Sequence, residues 1–459
     1  MTPTRREHDL LGERDLAADT PWGIHTLRAC ENFPFRGARV HPDLLDALVR
    51  VKLACVRANR RLGYLPEATA SAIEAACGDW LAAAGRACPL PALQGGAGTS
   101  TNLHVNECLA NLALKRLGCP AGDYATVHPI EHVNLHQSTN DVYPTAVRIA
   151  VIARLQQLSA RIAELQGALQ DREAAWHAVL SIGRTELQDA VPVTLGAQFA
   201  ALAESVARDR WRVAKGTERL RTVNLGGTAV GTGLTAPRDY IFQVIEDLRA
   251  VTALNVARGD HLMDATANAD ALVEVAGLLD AHAATLGKVC RDLRLLHAFG
   301  EVRLPAVQAG SSMMPGKVNP VIAEAGIQAG LRAHAVLGLV GTAAAEGSLQ
   351  INEFMPLMAE SLLEACDLLE AADTALAPHV RAAEADPARC RARLDASPAL
   401  VTALVPRLGY EAAQTLAQEL ASSARTDVRR FLAERVGEDV VAQALAPASL
   451  MALGHRRDP

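Results

Sequence analysis

Aromatic residues make up only 3% of this 459-residue chain. Alanine and leucine dominate instead, and they favour helices, whereas strands draw on β-branched and aromatic side chains. The scarcity predicts an all-α fold. Positive charge is short as well, with a formal net charge of −6 and a pI near 6.2. That leaves no basic face for nucleic acid and no polybasic patch for a membrane, so a small-molecule partner is expected. The nine cysteines are odd in number and contain no C-x-x-C pair. The opening "MTPTRREHDLLGERD" is charged throughout, without the apolar stretch of a secretory leader, so a reducing, cytoplasmic setting is expected. The uncharged run Thr222 to Pro237 holds four glycines and falls short of the roughly 18 residues a membrane helix needs. No membrane span is predicted.

The length suits about three domains at roughly 150 residues each. Periodicity is clearest in the middle of the chain. Val151, Leu155, Leu158, Ile162, Leu165 and Leu169 step by four and three, as do Leu272, Ala276, Leu279, Ala283, Leu286, Cys290 and Leu293. Such spacing keeps an apolar stripe on one helix face and predicts long bundle helices. Leu362, Cys366 and Leu369 mark a third. Helices this apolar on one face often pack against sister subunits, so an oligomer is expected.

Four polar segments interrupt the stripes: 94–107, 132–144, 181–196 and 309–320. Each carries Gly, Ser, Thr or Asn and reads as irregular backbone. Together they offer many neutral donors, which suit a dicarboxylate without cancelling its charge. The last, "AGSSMMPGKVNP", is no phosphate loop: five residues separate Gly310 from Gly316, and Val318 follows Lys317. No G-x-S-x-G elbow supports a serine hydrolase. His128, His132 and His136 have helical metal-site spacing, but Pro129 breaks the first interval, and no metal is expected there. "GTAVGTGL" reads as a tight turn rather than a dinucleotide fingerprint.

"GSSMMPGKVNP" resembles the signature loop of the fumarase/aspartase superfamily, and "MPGKVNP" its fumarase and aspartase branch. "WGIHTLRACENFPF", "GGAGTSTNLHVNECLAN", "EHVNLHQSTNDVYPTA", "GRTELQDAVPVTLG" and "LQINEFMP" follow in the family's order, and "SPALVTALVPRLGYEAA" resembles its small last domain. "GTST" and "QSTN" are similar to the aspartase pattern. The resemblance implies an all-α fold of three domains, 1–140, 141–390 and 391–459. It further implies a homotetramer with a twenty-helix core, sites each built from three subunits, and no organic cofactor. The implied reaction is a 1,2-elimination through a dianionic aci-carboxylate. Most of its barrier is charge building on a carboxylate, against which each aimed donor contributes about 3 kcal/mol.

By the same resemblance Ser311 is the base, and Lys317 and Asn319 hold one substrate carboxylate, with Ser312 and Met313 beside them. Thr99, Ser138, Thr139, Asn140 and Thr185 line the rest of the pocket. Glu186 departs from the pattern, standing where histidine or glutamine is usual near the leaving group. Next to a dianion it must be protonated or face a cation, since like charges about 4 Å apart repel by about 4 kcal/mol at an effective dielectric near 20. Glu324 matches a family acid expected nearby. Thr235 replaces a usual asparagine, and the segment before the loop is short. The leading expectation is an ammonia-lyase acting on L-aspartate or a close relative. The alternatives are a lyase expelling a larger or quaternary amine, such as trimethylamine from ergothioneine, a fumarate hydratase, and a non-catalytic relative.

Overall fold

The computed structural model describes residues 3–83, 88–423 and 425–454. The chain opens with an antiparallel hairpin, β1 (Thr4–Asp9) and β2 (Gly12–Ala17), followed by α1 (Ile24–Asn32), α2 (Pro42–Arg61), α3 (Glu67–Ala82), α4 (Thr99–Arg116) and the 37-residue α5 (Thr139–Ala175). A second hairpin, β3 (Leu180–Thr185) and β4 (Gln188–Thr194), leads into α6 (Leu195–Arg219). After β5 (Thr222–Val223) come α7 (Arg238–Thr252), β6 (Ala257–Arg258), α8 (Leu262–Ala267) and α9 (Asp270–Phe299). Then β7 (Val302–Arg303), α10 (Val321–Ala345), α11 (Met355–Arg381), β8 (Glu384–Ala385) and α12 (Pro387–Ala396) precede short C-terminal helices. Every sheet among the described residues is a two-stranded ribbon, so the fold is helical, as the composition predicts.

Two compact units divide the chain. One comprises Met1–Ser159, Arg212–Ala281 and Arg332–Leu368, the other Ala160–Trp211, His282–Leu331 and Leu369–Pro459. The boundaries fall within α5, α6, α9, α10 and α11, the five longest helices. The three apolar stripes lie on α5, α9 and α11, and all their members are buried.

In the first unit, two of the polar segments turn helical where the sequence suggested irregular backbone. α4 starts at Thr99 because Gly98 takes a left-handed φ of 94°, where an added Cβ would lie 2.5 Å from the Tyr143 ring. α5 starts at Thr139: Ser138 Oγ accepts the Asn140 N–H at 3.2 Å, and Asp141 Oδ1 accepts the Ser138 N–H at 3.0 Å. Pro144 sits inside this helix. A proline leaves the carbonyl four residues earlier without its helical donor, and here the Asn224 side-chain amide donates to the Asn140 carbonyl at 2.8 Å. The three histidines go separate ways. His128 Nδ1 accepts the N–H groups of Ile130 and Glu131, His132 Nδ1 accepts that of His128, and His136 bonds Asn59 Oδ1 at 2.7 Å.

In the second unit, the segment 181–196 forms the β3–β4 hairpin and the start of α6, because Leu180 and Ile182 on β3 and Val191 and Val193 on β4 alternate with other residues at the strand period. Ile182 joins Leu394, Leu400, Leu404, Leu420, Phe431 and Leu432 in one buried cluster. A second buried feature is polar. His282 of α9 is fully buried between Asp209 of α6, at 3.2 Å from Nδ1, and Asp373 of α11, at 2.9 Å from Nε2.

Candidate active site

The first unit prepares the turn that ends in Ser138, Thr139 and Asn140. Lys52 of α2 is only 1% exposed, and its ammonium donates to Asn134 Oδ1 at 2.7 Å and Gln137 Oε1 at 2.8 Å. Burial pushes that ammonium down to about 7. Asn134 Oδ1 also accepts from the side chains of Asn102 and Asn106, and Asn102 donates to Thr139 Oγ1 at 3.0 Å. Asp141 is fully buried and accepts the N–H groups of Gly226 and Thr228, while burial lifts its carboxyl to about 6 against those bonds. Asn140 donates to the Ala229 carbonyl at 2.7 Å. Thr139 is thus buried and fixed, Ser138 and Asn140 are half-buried, and Thr99 stands exposed at the start of α4.

Thr185 and Glu186 lie at the exposed tip of the β3–β4 hairpin. Glu186 and Leu187 are the two central residues of the turn, and both have left-handed backbones, with φ of 52° and 64°. That geometry normally selects Asn-Gly, and side-chain-bearing residues there cost roughly 1–2 kcal/mol each. A cleft of about 420 Å³ beside the tip is lined by Glu186, Leu187, Arg184, Gln198, Lys288 and Phe299, among others. A cation, Lys288, therefore shares the walls of the cleft with Glu186.

The segment 309–320 pins itself. The Gly310 N–H donates to the Lys317 carbonyl at 2.8 Å, and Asn319 Nδ2 donates to the Gly310 carbonyl at 3.0 Å. Inside this closure Ser311 Oγ accepts two backbone N–H groups, Met313 at 3.0 Å and Met314 at 2.9 Å. Two donors converging on one oxygen favour its anion. Ser311 and Asn319 are half-buried, whereas Ser312, Met313 and Lys317 are exposed, Met313 at 85%. Glu324 is half-buried in the first turn of α10 and pairs with Arg294 at 3.4 Å.

The family model described as Lyase matches residues 12–335, more than half of the chain. The chain belongs to the fumarase/aspartase superfamily of lyases. Among relatives in this superfamily, the aspartate ammonia-lyase of Corynebacterium glutamicum is 39% identical, over 97% of this chain and 87% of that protein. The aspartate ammonia-lyase of Pseudomonas aeruginosa is 40% identical, over 98% of each. A crystal structure of fumarate lyase:delta crystallin from Brucella melitensis bound to cobalt superposes with a TM-score of 0.92 at 42% identity, over 97% of this chain and 99% of that one. Class II fumarase from Schistosoma mansoni gives the same TM-score, 0.92, at 28% identity, over 99% and 100%.

The residues named from the superfamily's motifs fall in three places: the turn at 138–140 with the start of α4, the hairpin tip at 185–186, and the segment at 311–324. Each is held by its own contacts. Sequence reasoning missed Lys52, Asn102, Asn134, Gln137 and Asp141, which lie behind the first of these. Lys52 shares a face of α2 with Leu48, Cys55 and Asn59, all buried, and a lysine at that phase of an apolar stripe was the available signal.

Proposed function

We propose that the chain is an aspartate ammonia-lyase, converting L-aspartate to fumarate and ammonia as a cytoplasmic homotetramer. Ser311 acts as the base. Its alkoxide takes the proton from C3, the electron pair moves onto the adjacent carboxylate, and that aci-carboxylate is met by Lys317 and Asn319, with Ser312 and Met313 alongside. The pair then returns to form the C2–C3 double bond, and the C2 ammonium departs as neutral ammonia, so no proton donor is needed on that side. Thr99, Ser138, Thr139 and Asn140 hold the second carboxylate, with Thr185 and Glu186 at the amine. An ionised Glu186 complements the ammonium until it leaves, and Glu324 stays engaged with Arg294.

The observation that carries this reading is Ser311 Oγ, which receives the N–H groups of Met313 and Met314. An ordinary serine hydroxyl is too weak an acid to ionise in water, and preorganised donors lower that cost. The exposure of Met313, at 85%, and of Leu187, at 63%, suits a site completed by other subunits, because apolar side chains that large gain by being covered. The neutral donors of the 138–140 turn suit a dicarboxylate.

The test is direct. Purified protein is offered L-aspartate, L-malate and a betaine in turn, and formation of the conjugated acid is followed by ultraviolet absorbance, with released ammonia counted against fumarate. Equimolar fumarate and ammonia from aspartate is the expected outcome. An assembled protein that leaves aspartate untouched, or that acts on malate or the betaine alone, overturns the reading.

A further inference from the structure

The hairpin that carries Thr185 and Glu186 is strained at its tip, so something must hold it. Its register shifts between Gly183 and Arg184, and that irregularity belongs to the strand end next to the tip. Arg184 bonds Glu301 through both terminal nitrogens, Nη1 to Oε2 at 3.0 Å and Nη2 to Oε1. Glu301 is fully buried. A second guanidinium, Arg393 of α12, stands 3.7 Å from Glu301 Oε1. The Phe299 ring lies near both cations, with its centroid 4.5 Å from Arg184 Cζ and 4.8 Å from Arg393 Cζ. The backbone of Glu301 is engaged too: its N–H donates to the Leu296 carbonyl at 3.0 Å, and its carbonyl accepts the Asp386 N–H at 2.9 Å. One buried glutamate therefore ties the hairpin to Arg393 of α12 through its carboxylate, and joins the end of α9 to the residue before α12 through its backbone.

We infer that Glu301 is a positioning residue for the amine end of the substrate, acting through its fork with Arg184 to fix Thr185 and Glu186. This rests on the proposal that the hairpin tip meets the amine of aspartate. A fork of two parallel N–H bonds fixes direction as well as distance, which lysine cannot reproduce. Without the fork Arg184 keeps partners within its own hairpin, Asp189 at 3.5 Å and the Ile182 carbonyl at 3.4 Å, but loses its tie to Glu301, so the left-handed turn relaxes and Thr185 and Glu186 move away from the amine. Small misplacements of this kind cost up to about a hundredfold.

Fumarate separates this role from general damage, because it has both carboxylates of aspartate and no amine. Glu301→Gln and Arg184→Lys should each raise the KM for aspartate roughly tenfold while the inhibition constant for fumarate stays within about twofold. The double variant should be little worse than either single one, since both break the same link. Arg184→Lys keeps the buried charge paired and decides the matter if Glu301→Gln does not assemble. An unchanged aspartate KM in assembled variants, or an equal rise in both constants, overturns the inference. Wild-type turnover of aspartate, measured beside them, tests the proposed function separately: its absence sinks that function, whereas its presence with unaffected variants sinks only the role of Glu301.

Discussion

Replacing His282 with glutamine puts the buried ion triplet of the second unit to a quantitative test. Burial opposes the imidazolium charge, but the carboxylates of Asp373 and Asp209 more than reverse that and lift the group from 6.5 to about 10. A group raised in the folded state contributes stability that is complete below pH 6.5 and disappears as pH climbs through 10, because only the folded chain still holds the proton. At 1.36 kcal/mol per unit, the gap sets a ceiling of about 5 kcal/mol per chain. Lys52 acts in the opposite sense over nearly the same window. Burial lowers its ammonium from 10.5 to about 7, so between those values the unfolded chain binds the extra proton and stability rises with pH. The two oppose each other between pH 7 and 10, while burial raises thiols such as Cys55 and Cys77 from 9.0 to about 12 and so lowers stability further as pH nears 10; only the difference from His282→Gln isolates the triplet. Near pH 7 the variant leaves two buried carboxylates without their cation, a loss of about 3–5 kcal/mol. By pH 10 the wild type is giving up that cation as well, and the difference should shrink to about 1 kcal/mol. Urea unfolding of both proteins at pH 7 and pH 10, at one protein concentration, measures each difference. A gap that stays constant between the two pH values would refute the reasoning.

Ser311→Ala should fold and assemble normally but turn aspartate over about 10²–10⁴-fold more slowly, as loss of a general base typically does; steady-state kinetics beside a thermal melt check both halves. Glu186→Gln should raise the KM for aspartate severalfold with kcat little changed, since glutamine keeps the shape of the side chain but removes the carboxylate proposed to face the ammonium. An unchanged KM with full turnover would take Glu186 away from the amine. Mixing the separately inactive Thr185→Val and Ser311→Ala proteins should recover part of the activity through hybrid sites, and no recovery after verified subunit exchange would count against a site shared between chains.

The long helices were legible because their apolar positions repeat at four and three, and a stripe such as Val151 to Leu169 has no other economical use. Polar segments were legible as special but not as particular shapes. Thr99 and Thr139 begin helices only because Gly98 adopts a left-handed backbone and Asp141 reaches back to Ser138, and neither contact can be read from residue type alone. The β3–β4 hairpin escaped notice because Glu186-Leu187 stands where a turn of that kind ordinarily shows Asn-Gly. Ser311 came from resemblance. The two N–H groups on its oxygen depend on how the chain folds back at Met313 and Met314, which spacing does not encode. Lys52 and Glu301 were hidden for a common reason. A charged residue is normally read as solvated, and these two are buried among partners from distant parts of the chain.

The left-handed pair at the hairpin tip sets selection for robustness against selection for turnover. Glycine at 186 or 187 would relieve the backbone, and a screen that rewards heat resistance alone would be drawn to these two codons early. At 186 the same change would strip away the carboxylate proposed to face the amine and loosen the tip that presents Thr185. Consensus design or thermostability engineering of this enzyme should therefore hold both positions fixed, or score every candidate there by catalysis before stability.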